Sequence, residues 1–156
     1  MLQTEEGQAE LSVVVPLYNE EESLPLLVVR LLEALRPLGR SFELVLVDDG
    51  SSDGTAEVLR ELAATTPELV AVLLRRNYGQ TAAMQAGLQM ATGDVIVTMD
   101  GDLQNAPEDI PALAAHFIGI HSFICLFSKY SFYSFLYFRH PGLPANQNDL
   151  IYIFCF

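Results

Sequence analysis

Four short apolar runs along residues 11–99 restrict the fold more than any other feature of the chain. They are LSVVVP (11–16), FELVLV (42–47), LVAVLL (69–74) and DVIVTM (94–99). Together they are rich in valine and leucine, and none alternates with polar residues. That pattern suits strands covered on both faces, as in a parallel sheet. Helical patterns lie between the runs. Leu24, Leu27, Val28, Leu31, Leu32 and Leu35 form one apolar stripe. Asn19 and Ser23 are its candidate caps, and Pro25 fits only within its first turn. Val58, Leu59 and Leu62 mark a second helix, entered through the Ser52–Thr55 turn. Ala82, Ala83, Ala86 and Met90 mark a third, which Gly93 is expected to close. A fourth begins near Pro107 and Glu108. Strand–helix alternation of this kind predicts right-handed crossovers and a three-layer α/β domain with a mostly parallel sheet.

Every apolar run is followed by a polar cluster: Pro16-Leu17-Tyr18-Asn19-Glu20, Asp48 through Gly54, Arg75 through Gln80, and Asp100 through Gln104. In an open α/β sheet the ligand crevice lies beyond the carboxyl ends of the strands, so these clusters are expected to converge on one site. Asp100 and Asp102 sit at alternate positions of one segment, which points them to the same side. Two neighbouring carboxylates repel, and a hard divalent cation, Mg²⁺ or Mn²⁺, offsets that and can bridge to a diphosphate. Gln104 can add a neutral oxygen. The bland reading is a pair of solvated acids in a loop. Asp48 and Asp49 can accept hydrogen bonds from ribose or a base, or Asp48 can simply shape the turn with Ser51. Tyr18 can lie against a nucleobase or be a buried structural tyrosine. Glu20 can bind ribose or favour a helix N-terminus. Arg76 is the best local cation for a diphosphate, against the alternative of a solvated surface arginine.

Charge narrows the classes of ligand. The chain of 156 residues carries a net charge of −12, which repels phosphate backbones and speaks against nucleic acid. Composition also breaks near Phe117. Residues 1–116 hold 19 of the 20 acidic residues and six arginines, whereas residues 117–156 hold 12 of the 15 aromatic residues, Cys125, Cys155 and the sole lysine, Lys129. The N-terminus has no basic, apolar leader, so a cytoplasmic location is expected. Residues 117–138 are long enough to span a bilayer and are the one route to membrane association, but His121, Lys129 and several serines interrupt them.

The stretches VVVPLYNEEES (13–23), VDDGSSDGT (47–55), RNYGQTAAMQAG (76–87) and GDVIVTMDGDLQNAPEDI (93–110) resemble the inverting family 2 glycosyltransferases of GT-A fold. Among these, the polyprenyl-phosphate sugar transferases, including dolichol-phosphate mannose synthases and aminoarabinose-type enzymes, are the most similar. The resemblance covers residues 11–116. It implies a Rossmann-like nucleotide-sugar-binding region in which Pro16, Tyr18 and Glu20 line the nucleoside pocket and Asp48 and Asp49 hold base or ribose. Arg76 and Gln80 would join the nucleotide-sugar site. Asp100, Asp102 and Gln104 match the metal and diphosphate site, with Asp100 and Asp102 as the catalytic acids and Gly101 in place of the more usual alanine. The implied donor is a nucleoside-diphosphate sugar, the implied acceptor a lipid phosphate such as undecaprenyl or dolichyl phosphate, and the implied location the cytoplasmic face of a membrane.

Residues 117–156 match nothing in that resemblance. They are expected to be a truncated or misread continuation, or else an unusual membrane tail, and to pack loosely. The competing function is a non-catalytic nucleotide-diphosphate-binding fragment without an acceptor half. An aspartyl-phosphate signalling domain is a third reading, but it wants a nearby lysine, and Lys129 lies in the tail.

Overall fold

The computed structural model describes residues 9–117 and 123–126. The elements alternate as the apolar runs predict: β1 (Leu11–Leu17), α1 (Leu24–Leu35), β2 (Phe42–Asp48), α2 (Thr55–Thr65), β3 (Leu69–Leu73), α3 (Gln80–Met90), β4 (Val95–Thr98), α4 (Ile110–Phe117) and β5 (Phe123–Leu126). Short 3₁₀ turns at Arg36–Leu38 and Pro107–Asp109 follow α1 and precede α4. All strand pairs are parallel, and the sheet order is β3-β2-β1-β4-β5. β1 therefore lies at the centre, where its two neighbours lead the chain in opposite directions.

Strand parity sorts the core into two layers. Leu11, Val13, Val15 and Leu17 of β1, with Leu44, Leu46, Val95 and Val97, pack against α1, α2 and α4. Val14, Val45, Val47 and Ile96 point to the other face and meet Ala83, with Met84 and Ala86 of α3 beside them. Both faces are covered, which is why the runs do not alternate with polar residues. α3 lies close to the sheet because of Gly87: a Cβ there would sit 2.4 Å from Val14 Cγ1.

Three local expectations are corrected. Ser23 occupies the N-cap of α1 but makes no capping bond; its hydroxyl turns back to the Glu20 carbonyl and carboxylate. Asn19 is left-handed (φ 56°) and serves another loop. Gly93 does not close α3, which ends at Met90. Instead, the Gly93 N–H donates to Ser12 Oγ at 2.8 Å, and a Cβ there would meet the Ser12 backbone N at 2.6 Å. A fourth difference lies beyond the composition break, where Phe123–Leu126 adds a parallel strand to β4 that the residue pattern did not reveal. Among the described residues no helix is long and apolar enough to cross a membrane. Most of the candidate span at 117–138 lies outside the described residues.

Candidate functional site at the carboxyl edge of the sheet

The sheet reverses direction between β1 and β4, and at such a point the loops that follow neighbouring strands separate and leave a crevice. The candidate residues lie at the carboxyl ends of β1, β2, β3 and β4, in the loops that follow them, or, for Gln80, at the start of α3. Pro16 is buried as the penultimate residue of β1 and pairs with Val47. Tyr18, the next residue after β1, is 48% exposed, which removes the alternative of a buried structural tyrosine.

The loops after β1 and β2 are laced together. Asn19 N–H donates to Ser51 Oγ at 2.9 Å, and Ser52 N–H donates to Asn19 Oδ1 at 2.9 Å. Glu20 N–H donates to Thr55 Oγ1 at 2.8 Å, and Gly54 N–H to a Glu21 carboxylate oxygen at 2.9 Å. Asp53 takes the backbone N–H groups of Thr55 and Glu21 and the Thr55 hydroxyl. Burial works to raise the Asp53 pKa, but these hydrogen bonds to the charged form outweigh it and hold the carboxyl below its ordinary value. The Glu20 carboxylate engages the Ser23 hydroxyl at the start of α1. The part of Asn19, Ser51 and Asp53 in this lacing is not legible in the sequence. Their types are turn formers, but a turn former does not reveal which loop it will meet.

Asp48 and Asp49 are both buried, at 2% and 3% exposure. Asp48 Oδ1 accepts the backbone N–H and the hydroxyl of Ser51; among the described residues Oδ2 has no hydrogen-bond partner. Asp49 is different. Its two oxygens accept the backbone N–H groups of Tyr78 and Gly79, each at 2.8 Å. Gly50 lets the two loops touch: it has φ +65°, and a Cβ on it would lie 2.2 Å from the Arg76 carbonyl carbon.

The loop after β3 leads into α3 through Gly79 (φ 94°). Arg76 is exposed, with its guanidinium carbon 4.9 Å from the centre of the Tyr78 ring, a cation–π distance. Arg30, Arg36, Arg40 and Arg60 each pair with a glutamate. Among the described residues Arg75 and Arg76 are the two arginines without an ion pair.

Gln80 opens α3, and its Nε2 donates to Asp100 Oδ1 at 2.7 Å. Asp100 is half-buried just past β4, while Asp102 and Gln104 are exposed. Burial raises the Asp100 pKa, the neighbouring Asp102 charge adds to the rise, and the Gln80 hydrogen bond partly opposes both. The backbone turns sharply through Leu103 (φ 59°), and Gln104 N–H donates to Asp102 Oδ1 at 3.0 Å. Among the described residues no group of three or more His, Cys, Asp and Glu side chains is placed so that it could hold a metal ion by itself. Two carboxylates and an amide oxygen on one short loop are still a fitting partial set for a hard cation whose other positions a diphosphate and water fill.

An all-parallel sheet in this order, with its acidic loops gathered beyond the strand ends, is a GT-A-like α/β domain. The chain belongs to glycosyl transferase family 2, whose model matches residues 12–153. It is 59% identical over 107 residues to the undecaprenyl-phosphate 4-deoxy-4-formamido-L-arabinose transferase of Pectobacterium carotovorum, a match covering 67% of this chain and 32% of that protein. The enzyme of the same description from Proteus mirabilis is 51% identical over 105 residues. The chain thus spans about a third of the length of these curated relatives (32%). Among solved structures, the mannosyltransferase PcManGT from Pyrobaculum calidifontis, in complex with GDP-Man and Mn²⁺, superposes with a TM-score of 0.61 at 29% identity, covering 73% of this chain and 33% of that one. S. aureus TarS 1–349 in complex with UDP-GlcNAc gives a TM-score of 0.57 at 28% identity, covering 69% of this chain and 31% of that one.

Proposed function

We propose that the crevice between β1 and β4 binds a nucleoside-diphosphate sugar, and that the protein transfers the sugar, with inversion, to a polyprenyl phosphate such as undecaprenyl phosphate. One observation carries the reading. Asp100 and Asp102 are held side by side at the crevice, without an ion pair to either among the described residues, and Asp100 is already half-buried. Such a pair is costly for an empty protein and suits one that receives a cation together with an anionic ligand.

In this reading Tyr18 offers an exposed ring to the base, and Asp48 offers its unengaged oxygen to a base N–H or ribose hydroxyl. Pro16 and Glu20 complete that side of the pocket. Asp100, Asp102 and Gln104 would hold Mg²⁺ or Mn²⁺, which supplies neutralisation of the charge that builds on the departing nucleoside diphosphate. Arg76, which has no ion pair among the described residues, adds a second positive charge from the loop after β3. The acceptor phosphate oxygen is anionic at neutral pH, so the chain need not provide a strong general base. Its task is to hold donor and acceptor in line. The undecaprenyl-phosphate transferase of Pectobacterium carotovorum, as a relative, supports an undecaprenyl-phosphate acceptor. That acceptor is membrane-borne, which favours work at a membrane face.

Calorimetric titration of the 156-residue chain with UDP and GDP, in Mn²⁺ and in EDTA, tests the donor site. Binding that needs the metal and is lost in Asp102→Ala is expected; equal affinity in both buffers overturns the metal assignment. Radiolabelled transfer from UDP- and GDP-sugars to undecaprenyl phosphate tests the acceptor, and product that forms equally without the lipid refutes it.

A further inference from the structure

The geometry points to Asp49 as a positioning residue that sets the diphosphate side of the crevice, rather than as a ligand of base or ribose; this rests on the donor reading above. Asp49 is 3% exposed, and each of its oxygens already accepts a backbone N–H from consecutive residues, Tyr78 and Gly79, at 2.8 Å. A ligand group would have to displace one of these charge-assisted bonds to reach it. Asp48, one residue earlier, keeps an oxygen without a partner among the described residues. Adjacent carboxylates thus have separate tasks.

The two N–H groups that Asp49 holds belong to the turn that launches α3. The next residue, Gln80, places its amide 2.7 Å from Asp100 Oδ1. The same turn carries Arg76, stacked over the Tyr78 ring. One buried carboxylate just past β2 therefore holds, through two backbone groups, the turn that carries both the Arg76 cation and the amide that orients Asp100. Gly79 has φ +94° and a Cβ on it would meet nothing within 4 Å, so packing of the glycine itself does not hold the turn. The Asp49 hydrogen bonds do so, with the Gly50 contact and a second, longer bond from Gly79 N–H to Asn77 Oδ1 at 3.0 Å beside them. Gln80 is the second positioning residue of this chain of contacts.

The test separates nucleoside from diphosphate. In Asp49→Asn one acceptor becomes a donor and faces a backbone N–H, so the turn is released on one side. The affinity for UDP or GDP with Mn²⁺ should fall about tenfold, the scale of one lost hydrogen bond to a charged group. The affinity for the matching nucleoside, uridine or guanosine, measured by ligand-observed NMR, should not change. Amide exchange over residues 76–80 should speed up in the same variant without ligand. Gln80→Ala, an exposed change that leaves the core intact, should reproduce part of the diphosphate loss and also spare the nucleoside. It decides the matter should Asp49→Asn fail to fold. Equal loss of nucleoside and diphosphate in Asp49→Asn would make Asp49 a nucleoside ligand and overturn the inference. Unchanged diphosphate affinity in Gln80→Ala, or in a folded Asp49→Asn, would overturn it as well. Should the wild-type chain bind neither UDP nor GDP, the donor reading itself falls and this inference with it.

Discussion

Replacing Gly50 by alanine probes the contact on which the two central loops depend. Two costs apply. Gly50 has φ +65°, and a left-handed backbone costs an L-residue about 1–2 kcal/mol. The new Cβ would also lie 2.2 Å from the Arg76 carbonyl carbon, 2.5 Å from its Cα and 2.6 Å from the Asn77 nitrogen. These are backbone atoms, so no rotamer change relieves the clash. Forced overpacking adds about 1–3 kcal/mol, giving a total of about 2–5 kcal/mol for Gly50→Ala. Gly39 supplies the control. Its φ is +62° and a Cβ there meets nothing within 4 Å, so Gly39→Ala carries the backbone cost alone, about 1–2 kcal/mol. Urea unfolding of both variants measures the difference. Loop separation should also loosen the Asp49 bonds to Tyr78 and Gly79, so Gly50→Ala should bind UDP or GDP with Mn²⁺ more weakly, while Gly39→Ala, far from the crevice in sequence and contact, should bind as wild type. A Gly50→Ala chain no less stable than Gly39→Ala would refute the close approach of the loops.

Three further outcomes follow from single groups. Asp100 has a raised pKa, from burial and then from Asp102, so its charge opposes folding once pH rises through that value. Asp100→Asn should therefore raise the melting temperature in EDTA at neutral pH, with the gain fading in acid, and should abolish metal-dependent nucleotide binding. Asp53 has the opposite sign. Although burial pushes its pKa up, hydrogen bonds from Thr55 and Glu21 pull it lower still, so its contribution is present above the ordinary carboxylate value of 3.8 and is lost as pH falls through the folded one. Asp53→Asn should be less stable than wild type at pH 7, and chemical unfolding across a pH series should show the gap closing as pH falls below the ordinary carboxylate value. Thr98 is fully buried near the end of β4, and its hydroxyl has no hydrogen-bond partner among the described residues. Thr98→Val keeps the shape and removes that hydroxyl, and should stabilise the chain by about 1 kcal/mol in urea titration; a loss of stability would reveal a partner for it.

The four strands β1 to β4, their parallel direction and the two-sided burial were legible because apolar periodicity is a local property of the chain. Strands covered on both faces must read as continuous Val and Leu runs, and LSVVVP and FELVLV do. The site loops were legible for a related reason: a parallel strand must end at the same edge as its neighbours, so polar clusters after each run collect there. β5 was not, since ICL among aromatic residues carries no pattern that separates a strand from a buried helix. Nor did local sequence assign the carboxylates. The pair Asp48-Asp49 reads as two equivalent acids after a strand. Only the approach of the 76–80 turn, permitted by Gly50, gives Asp49 two N–H partners, while one Asp48 oxygen has none among the described residues. Likewise Gln80 and Asp100 stand twenty residues apart and meet at 2.7 Å because α3 crosses the sheet between them. Sequence by itself determined the elements, their order and the residue types at the crevice, since these follow from short-range patterns. Tertiary structure decided which oxygen faces which donor, because a hydrogen bond depends on positions set to within a few tenths of an ångström by packing across the whole sheet.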